Sequence, residues 1–351
     1  MLCEKLGDKD QLFVALCGEA SYHMISGNLR AADELGRQCL ELALASGDHS
    51  LLLEAHHRQW ATKFYMGDYA AADRHTDHGI ATYDPDRDHS LTYIFTGHDP
   101  GVCCRTFSAR ILWLRGYSDQ AIDRCREAIA LAERVSHPLT RVMAQQTLSY
   151  LHLLRREPDE GRRCLDKWIA LSKEFGLQLS TSEGRFQFGW VLAEEGRTAK
   201  GTTEMREALA AIAATGAAVG LQNYLCVLAR ACGEHEVGEG LIFLERALAI
   251  AQSGARYQLP ELLRTKGELL LRLDPRDDTA EDWFQQAVTM ARDEGTKSLE
   301  LRAALSLARL YWAQDRYEEA RDVLSPVYAW FTEGFDTGDL VDAKELLDRL
   351  R

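Results

Sequence analysis

Proline is scarce in this 351-residue chain, with 7 in all, and no Gly-, Ser- or Pro-rich run marks a linker. A chain of this length outgrows one ordinary compact core, so an undivided one calls for an architecture that grows by addition. No C-x-x-C pair occurs. The nine cysteines, at 3, 17, 39, 103, 104, 125, 164, 226 and 232, are odd in number and scattered. They read as reduced, mostly buried thiols of a cytoplasmic protein rather than as a disulfide framework. The opening "MLCEKLGDKDQL" carries acidic residues and no long apolar run, so no secretory signal is visible. Positive charge is also short: 41 Lys and Arg stand against 54 Asp and Glu, a net charge of −13. That balance argues against bulk binding to nucleic acid or to an anionic membrane. One long uncharged stretch, Ala208 to Ala229, is mostly Ala, is broken by Gly216 and Gly220, and holds Gln222 and Asn223. Such residues suit close helix packing better than a lipid-facing span.

What the chain has in abundance is Leu, Ala, Glu and Arg, which favour helix, and a repeated pattern. "SGNLRAADE" at Ser26, "MGDYAAADR" at Met66, "RGYSDQAID" at Arg115 and "QDRYEEARD" at Gln314 share a turn residue, an aromatic or aliphatic anchor, then Ala. Weaker copies start at Arg156, Glu195, Gly233 and Leu273. Anchored on Gly27, Gly67, Gly116, Glu157, Gly196, Gly233, Asp274 and Asp315, the spacings are 37 to 41 residues, except for 49 between the second and third. A period near 40 predicts helical hairpins that bury their faces only by stacking. In the last copy Leu301, Leu305, Ala308 and Tyr311 mark the first helix; Ala320, Val323, Leu324 and Val327 mark the second. The long spacing holds an insertion over 83–101, and Asp99-Pro100 then reads as N-cap and first helical residue. His137-Pro138 opens the next hairpin similarly. The expected fold is all-α: one right-handed α-solenoid of about eight hairpins over 1–351, closed by a capping helix at 337–351. Thr337 would be its N-cap, with Leu340, Ala343, Leu346, Leu347 and Leu350 facing inward.

"GDYAAAD" and "QDRYEEA" resemble the tetratricopeptide turn, with Ala72 and Ala320 where two helices touch. Three longer segments, "DPGVCCRTFSARILWLRGYSDQA", "HPLTRVMAQQTLSYLHLLRRE" and "YAWFTEGFDTGDLVDAKELLDRL", resemble the C-terminal repeat region of bacterial multidomain signalling ATPases, often fused to an adenylate/guanylate cyclase domain. Ser118 and Gly338 stand where that family often has Pro. The resemblance implies a sensor or scaffold arm, with N-terminal ATPase or cyclase domains preceding a first hairpin that has no cap of its own.

Catalytic motifs are missing. "GRTAKGTT" (Gly196–Thr203) has the glycine gap of a P-loop but Thr202 at the lysine position, and it falls on a repeat turn, which is the preferred reading. His56, His57, His75 and His78, with Glu54, contain the ingredients of a zinc site, although interfacial histidines describe them more simply; neither metal nor cofactor is expected. Cys103 and Cys104 lack a local base. There is no zincin motif, nucleophile elbow or dinucleotide loop. The functional expectation is therefore a surface: the concave groove lined by the first helices of the hairpins. Its candidates are His57 (near Glu54) and Phe64, Arg110 and Trp113, Asn223 and Arg230, Arg264, Glu268 and Arg272, and Arg302, Arg309 and Trp312. Arginine forks with nearby tryptophan suit a protein or peptide partner, possibly acidic, or a small anionic effector. Pairing of these arginines with Glu of the next hairpin is the competing reading.

Overall fold

Eighteen α-helices and no strand occur among the residues that the computed structural model describes, 9–95, 97–233 and 236–350. They form hairpins α1 (Lys9–Ile25) with α2 (Leu29–Ser46), and α3 (His49–Met66) with α4 (Tyr69–Thr82). The insertion holds one short turn, α5 (Pro85–Asp88), and a 3-10 segment over His89–Tyr93. Then come α6 (Pro100–Leu114) with α7 (Ser118–Val135), α8 (Pro138–Leu154) with α9 (Pro158–Glu174), and α10 (Gln178–Glu194) with α11 (Thr198–Ala214). The last three pairs are α12 (Leu221–Ala231) with α13 (Val237–Gln252), α14 (Leu259–Leu273) with α15 (Ala280–Asp293), and α16 (Lys297–Ala313) with α17 (Tyr317–Tyr328), before the terminal α18 (Gly338–Arg349). The chain is an α-solenoid.

Local chemistry starts and stops these helices. Asp48, Asp68 and Asp99 each accept the backbone N–H of the residue three positions on, at 3.0, 3.1 and 2.9 Å, and Pro100 occupies the first helical position of α6. His137 precedes Pro138 without a side-chain cap bond. Thr337 stands at the N-cap position of α18, but its hydroxyl donates to the Gly334 carbonyl at 2.7 Å rather than capping the helix. The hairpin turns at Gly27, Gly67, Gly116 and Gly196 are left-handed, and in the fourth and eighth hairpins Arg156 and Asp315 adopt that conformation.

Side chains at helical spacing fill the seams. Ala72 and Ala320 are fully buried where paired helices meet, and so are Trp60, Trp168 and Phe284. At Gly201 a Cβ would stand 2.5 Å from the Gly189 carbonyl, so α10 and α11 cross with backbones in contact. The glycine of the P-loop lookalike is thus a packing residue on a helix. In α18 Leu340, Ala343 and Leu346 are buried, as is Leu350 at its C-cap, and Leu347 packs beside them against α16 and α17. Eight cysteines are free, seven of them buried; Cys3 lies outside the described residues. No helix among the described residues is long and apolar enough to cross a membrane.

The solenoid coils tightly enough for one superhelical turn to touch the next. Ala218 and Val219 donate backbone N–H to the Ile25 carbonyl at 2.9 and 3.0 Å, and Tyr257 donates to Tyr65 at 3.1 Å. The Ser298 hydroxyl donates to the Trp113 carbonyl at 2.5 Å, and Gly338 N–H to the Arg155 carbonyl at 3.1 Å. The turns of hairpins one to four therefore abut the starts of α12, α14, α16 and α18 in order. Five hairpins on, the chain meets itself.

Candidate ligand-binding site

This closure encloses a cavity of about 560 Å³, walled chiefly by the first helix of each of hairpins one to six, by Phe95 and His98 of the insertion, and by Tyr257. The helical period decides which residues face it: Cys103, Thr106, Phe107 and Arg110 on α6, Met143, Gln146, Thr147 and Tyr150 on α8, and Glu183 and Gln187 on α10.

Arg110 is its centre. The guanidinium carbon lies 4.4 Å from the Phe64 ring centroid and 5.3 to 5.7 Å from those of Tyr257, Phe107, Tyr65 and Tyr150. Its best polar contact is a long donation to the Tyr65 hydroxyl at 3.5 Å, while Nε has no hydrogen-bond partner. Among the described residues it enters no ion pair, and part of its surface stays open to the cavity. The ring faces hold the cation in place through their quadrupoles. Around it the Tyr150 and Tyr257 hydroxyls meet at 3.1 Å, and Gln258 and Asn223 donate to Tyr150 at 3.4 and 3.3 Å. Across the cavity the Glu183 carboxylate accepts from Tyr224 at 3.0 Å and from Gln146 at 3.2 Å; burial nevertheless raises it above the usual carboxylate range.

Of the twelve groove candidates, His57, Arg110 and Asn223 line this cavity. Phe64 lies beneath Arg110, fully buried. Arg230, Arg264, Glu268, Arg302 and Arg309 line a second, smaller depression of about 200 Å³. There the cations are matched. Arg230 pairs with Glu194 and Glu261, Arg264 with Glu261 and Glu268, Arg302 with Asp339, and Arg309 with Asp342. Although burial opposes it, Arg264, Arg302 and Arg230 hold the Glu261 carboxyl down at about 2. Trp113 is buried, with Arg302 stacked 5.0 Å from its ring. Arg272 donates to the Arg230 and Cys232 carbonyls at 3.1 and 3.5 Å, and Trp312 is exposed and lines neither cavity.

The early histidines divide into two groups. His56, His75 and His78 cluster together: the Nδ1 atoms of His56 and His75 are 2.8 Å apart and His78 stacks on His56 at 3.8 Å. His57 turns inward, where its Nδ1 meets Glu54 Oε2 at 3.1 Å and its Nε2 meets His98 Nε2 at 3.1 Å. Tyr257 and His98 carry no helical-face signal that leads to this cavity. Tyr257 arrives through the superhelical closure and His98 through the insertion.

Residues 301–326 match the Tetratricopeptide repeat family, on the α16–α17 hairpin. A relative from Rhizobium meliloti (strain 1021), itself an uncharacterized protein, is 25% identical over 270 residues, 76% of this chain and 26% of the relative. The chain thus spans about a quarter of that relative's length. Among solved structures, a Rap conjugation gene regulator of the plasmid pLS20 in complex with the Phr* peptide gives a TM-score of 0.58 at 10% identity, covering 97% of this chain and 96% of that one. A Rap protein complexed with competence and sporulation factor gives 0.55 at 10% identity, with 97% and 99% covered. These likenesses establish a tetratricopeptide-like repeat fold.

Proposed function

We propose that this chain is a non-enzymatic recognition and regulatory module that takes a short peptide, or a segment of a protein partner, into its interior cavity, with Arg110 receiving a ligand carboxylate. One observation carries the reading. Arg110 is enclosed by five rings and makes no direct ion pair among the described residues, its charge reaching only Glu183 across the cavity, whereas Arg230, Arg264, Arg302 and Arg309 are all matched by carboxylates in direct contact. An enclosed cation without a partner is costly, and a guanidinium fork fits a carboxylate in two parallel bonds. The tetratricopeptide match and the two Rap-fold structures, both complexes, support a protein- or peptide-binding role. The resemblance to signalling ATPases, and a relative about four times as long as the aligned portion, support a cytoplasmic sensor arm. Binding in the cavity would then bias an upstream ATPase or cyclase domain.

Fluorescence polarisation against a panel of acidic peptides, each with a free or an amidated C-terminus, tests this. Binding should depend on a carboxylate and weaken about 10-fold or more in Arg110→Met, the scale of a charge-assisted bond, with the far-UV circular dichroism unchanged. Equal affinity in that variant would sink the assignment. A second reading, a small anionic effector, is favoured by the cavity volume, which falls among small-ligand pockets. A small molecule retained in native mass spectrometry of the purified chain would select it.

A further inference from the structure

His57, His98 and Cys103 converge on one wall of the cavity from three different elements. His57 sits on α3, His98 on the insertion and Cys103 in the first turn of α6. Their ligand atoms lie within 4.8 Å of one another, and the two Nε2 atoms are 3.1 Å apart. Two nitrogens on one tetrahedral metal stand about 3.4 Å apart and a nitrogen–sulfur pair about 3.6 Å, from ordinary bond lengths. At 3.1 Å the two histidine nitrogens stand slightly inside that spacing, so a small outward rotation of either ring would admit the metal.

The surroundings favour a ligand set over a simple imidazole contact. Glu54 is fully buried and meets His57 Nδ1 at 3.1 Å. The Glu54 oxygen faces His57 Nδ1, so the proton that bridges them sits on Nδ1. The Nε2 lone pair is then directed at His98 and Cys103. This is the carboxylate–histidine arrangement that orients metal-bound imidazoles. Trp60 stacks on His57 at 4.7 Å and directs its N–H to the Cys103 sulfur at 3.5 Å, as a donor to a thiolate would.

We infer that His57, His98 and Cys103 form a divalent-metal site of the zinc type, backed by Glu54, whose fourth position opens on the cavity and whose closure pins the insertion across it. Phe95 of the same insertion already packs edge-on against Phe13 of α1 at 5.8 Å. On binding, Cys103 releases its thiol proton to solvent and the sulfur becomes the ligand. The Nδ1 proton stays on His57, hydrogen-bonded to Glu54. The inference stands apart from the peptide reading, since Arg110 takes no part in it.

Cobalt titration of the metal-stripped full chain tests the site. One equivalent of Co²⁺ should produce thiolate-to-cobalt charge-transfer absorption with tetrahedral ligand-field bands, displaced by Zn²⁺. His98→Ala, a change in the insertion that leaves the helices untouched, should weaken binding more than 10-fold, and Glu54→Gln about 10-fold. Cys103→Ser should abolish the charge-transfer band. Metal should also slow proteolysis within residues 83–101 in the wild-type chain but not in His98→Ala. Stoichiometric cobalt without a thiolate band would overturn the site. So would an affinity unmoved by His98→Ala but lost in His75→Ala, which would place the metal on the cysteine-free cluster of His56, His75 and His78.

Discussion

At Glu261 burial and charge oppose each other, and charge wins. The side chain is only 5% exposed and receives Arg264 at 2.7 Å, Arg230 at 3.2 Å and Arg302 at 3.7 Å. Its carboxyl falls from 4.5 to about 2, so the folded state binds protons less readily than the unfolded one. The sign follows: its contribution to stability is fully present above pH 4.5 and is lost as pH falls towards 2. Glu261→Gln leaves three guanidiniums short of a counter-charge, which costs about 3–5 kcal/mol for a broken buried pair. Urea unfolding at neutral pH should show that loss, and the gap between variant and wild type should narrow as pH drops below 4.5. Sequence reading finds these arginines because each lies on the first helix of its hairpin. Pairing with Glu of another hairpin, the competing reading, is what Arg230 does with Glu194 and Glu261, whereas Arg264 is matched within its own helix by Glu261 and Glu268; which carboxylates stand at matching heights on adjacent repeats is a property of stacking and not of periodicity.

Among the elements, α7 begins with a cap from the far end of the chain. The Glu333 carboxylate accepts the backbone N–H groups of Asp119 and Gln120 at 2.9 and 3.1 Å, while Asp119 accepts Gly334 N–H at 3.0 Å. An acidic group here satisfies two otherwise unpartnered donors and favours the positive end of the helix dipole. Glu333→Ala should therefore cost about 1 kcal/mol, the usual worth of a helix N-cap, read as a lower denaturation midpoint at unchanged slope. Hairpins, turns and the Asp99-Pro100 start are legible in the sequence, because each depends on residues within one or two helical turns. The Glu333 cap is not, because its partner is 214 positions away. The insertion is legible as an interruption of the period, but the path that carries Phe95 and His98 to the cavity wall is set by packing on Phe13 and His57.

Solenoids ordinarily unfold as a chain of nearest neighbours, with stability summed over repeats and interfaces. Here contacts between successive superhelical turns add a second set of neighbours five hairpins away, and that changes the expected cooperativity. These contacts also build the cavity: Tyr257 joins the Arg110 cage only because its backbone is bound to Tyr65. The hairpin period leads to the solenoid but not to its curvature, which emerges from small rotations repeated at every interface. Two glycines separate the local from the global effect. Gly116 and Gly196 both sit in left-handed turns, at φ 93 and 81, so alanine at either carries a similar backbone penalty of about 1 kcal/mol. At Gly196 the added methyl meets nothing within 4 Å, whereas at Gly116 it falls 2.6 Å from Trp330 and 3.0 Å from Lys297 Cβ, across the turn-to-turn contact. Gly196→Ala should lower the urea midpoint and keep a single transition of wild-type slope. Gly116→Ala should separate the two superhelical turns, giving a shallower or two-step transition together with weaker ligand capture. Identical slopes in the two variants would mean that the turns touch without being coupled, and that the repeats unfold as an ordinary linear array.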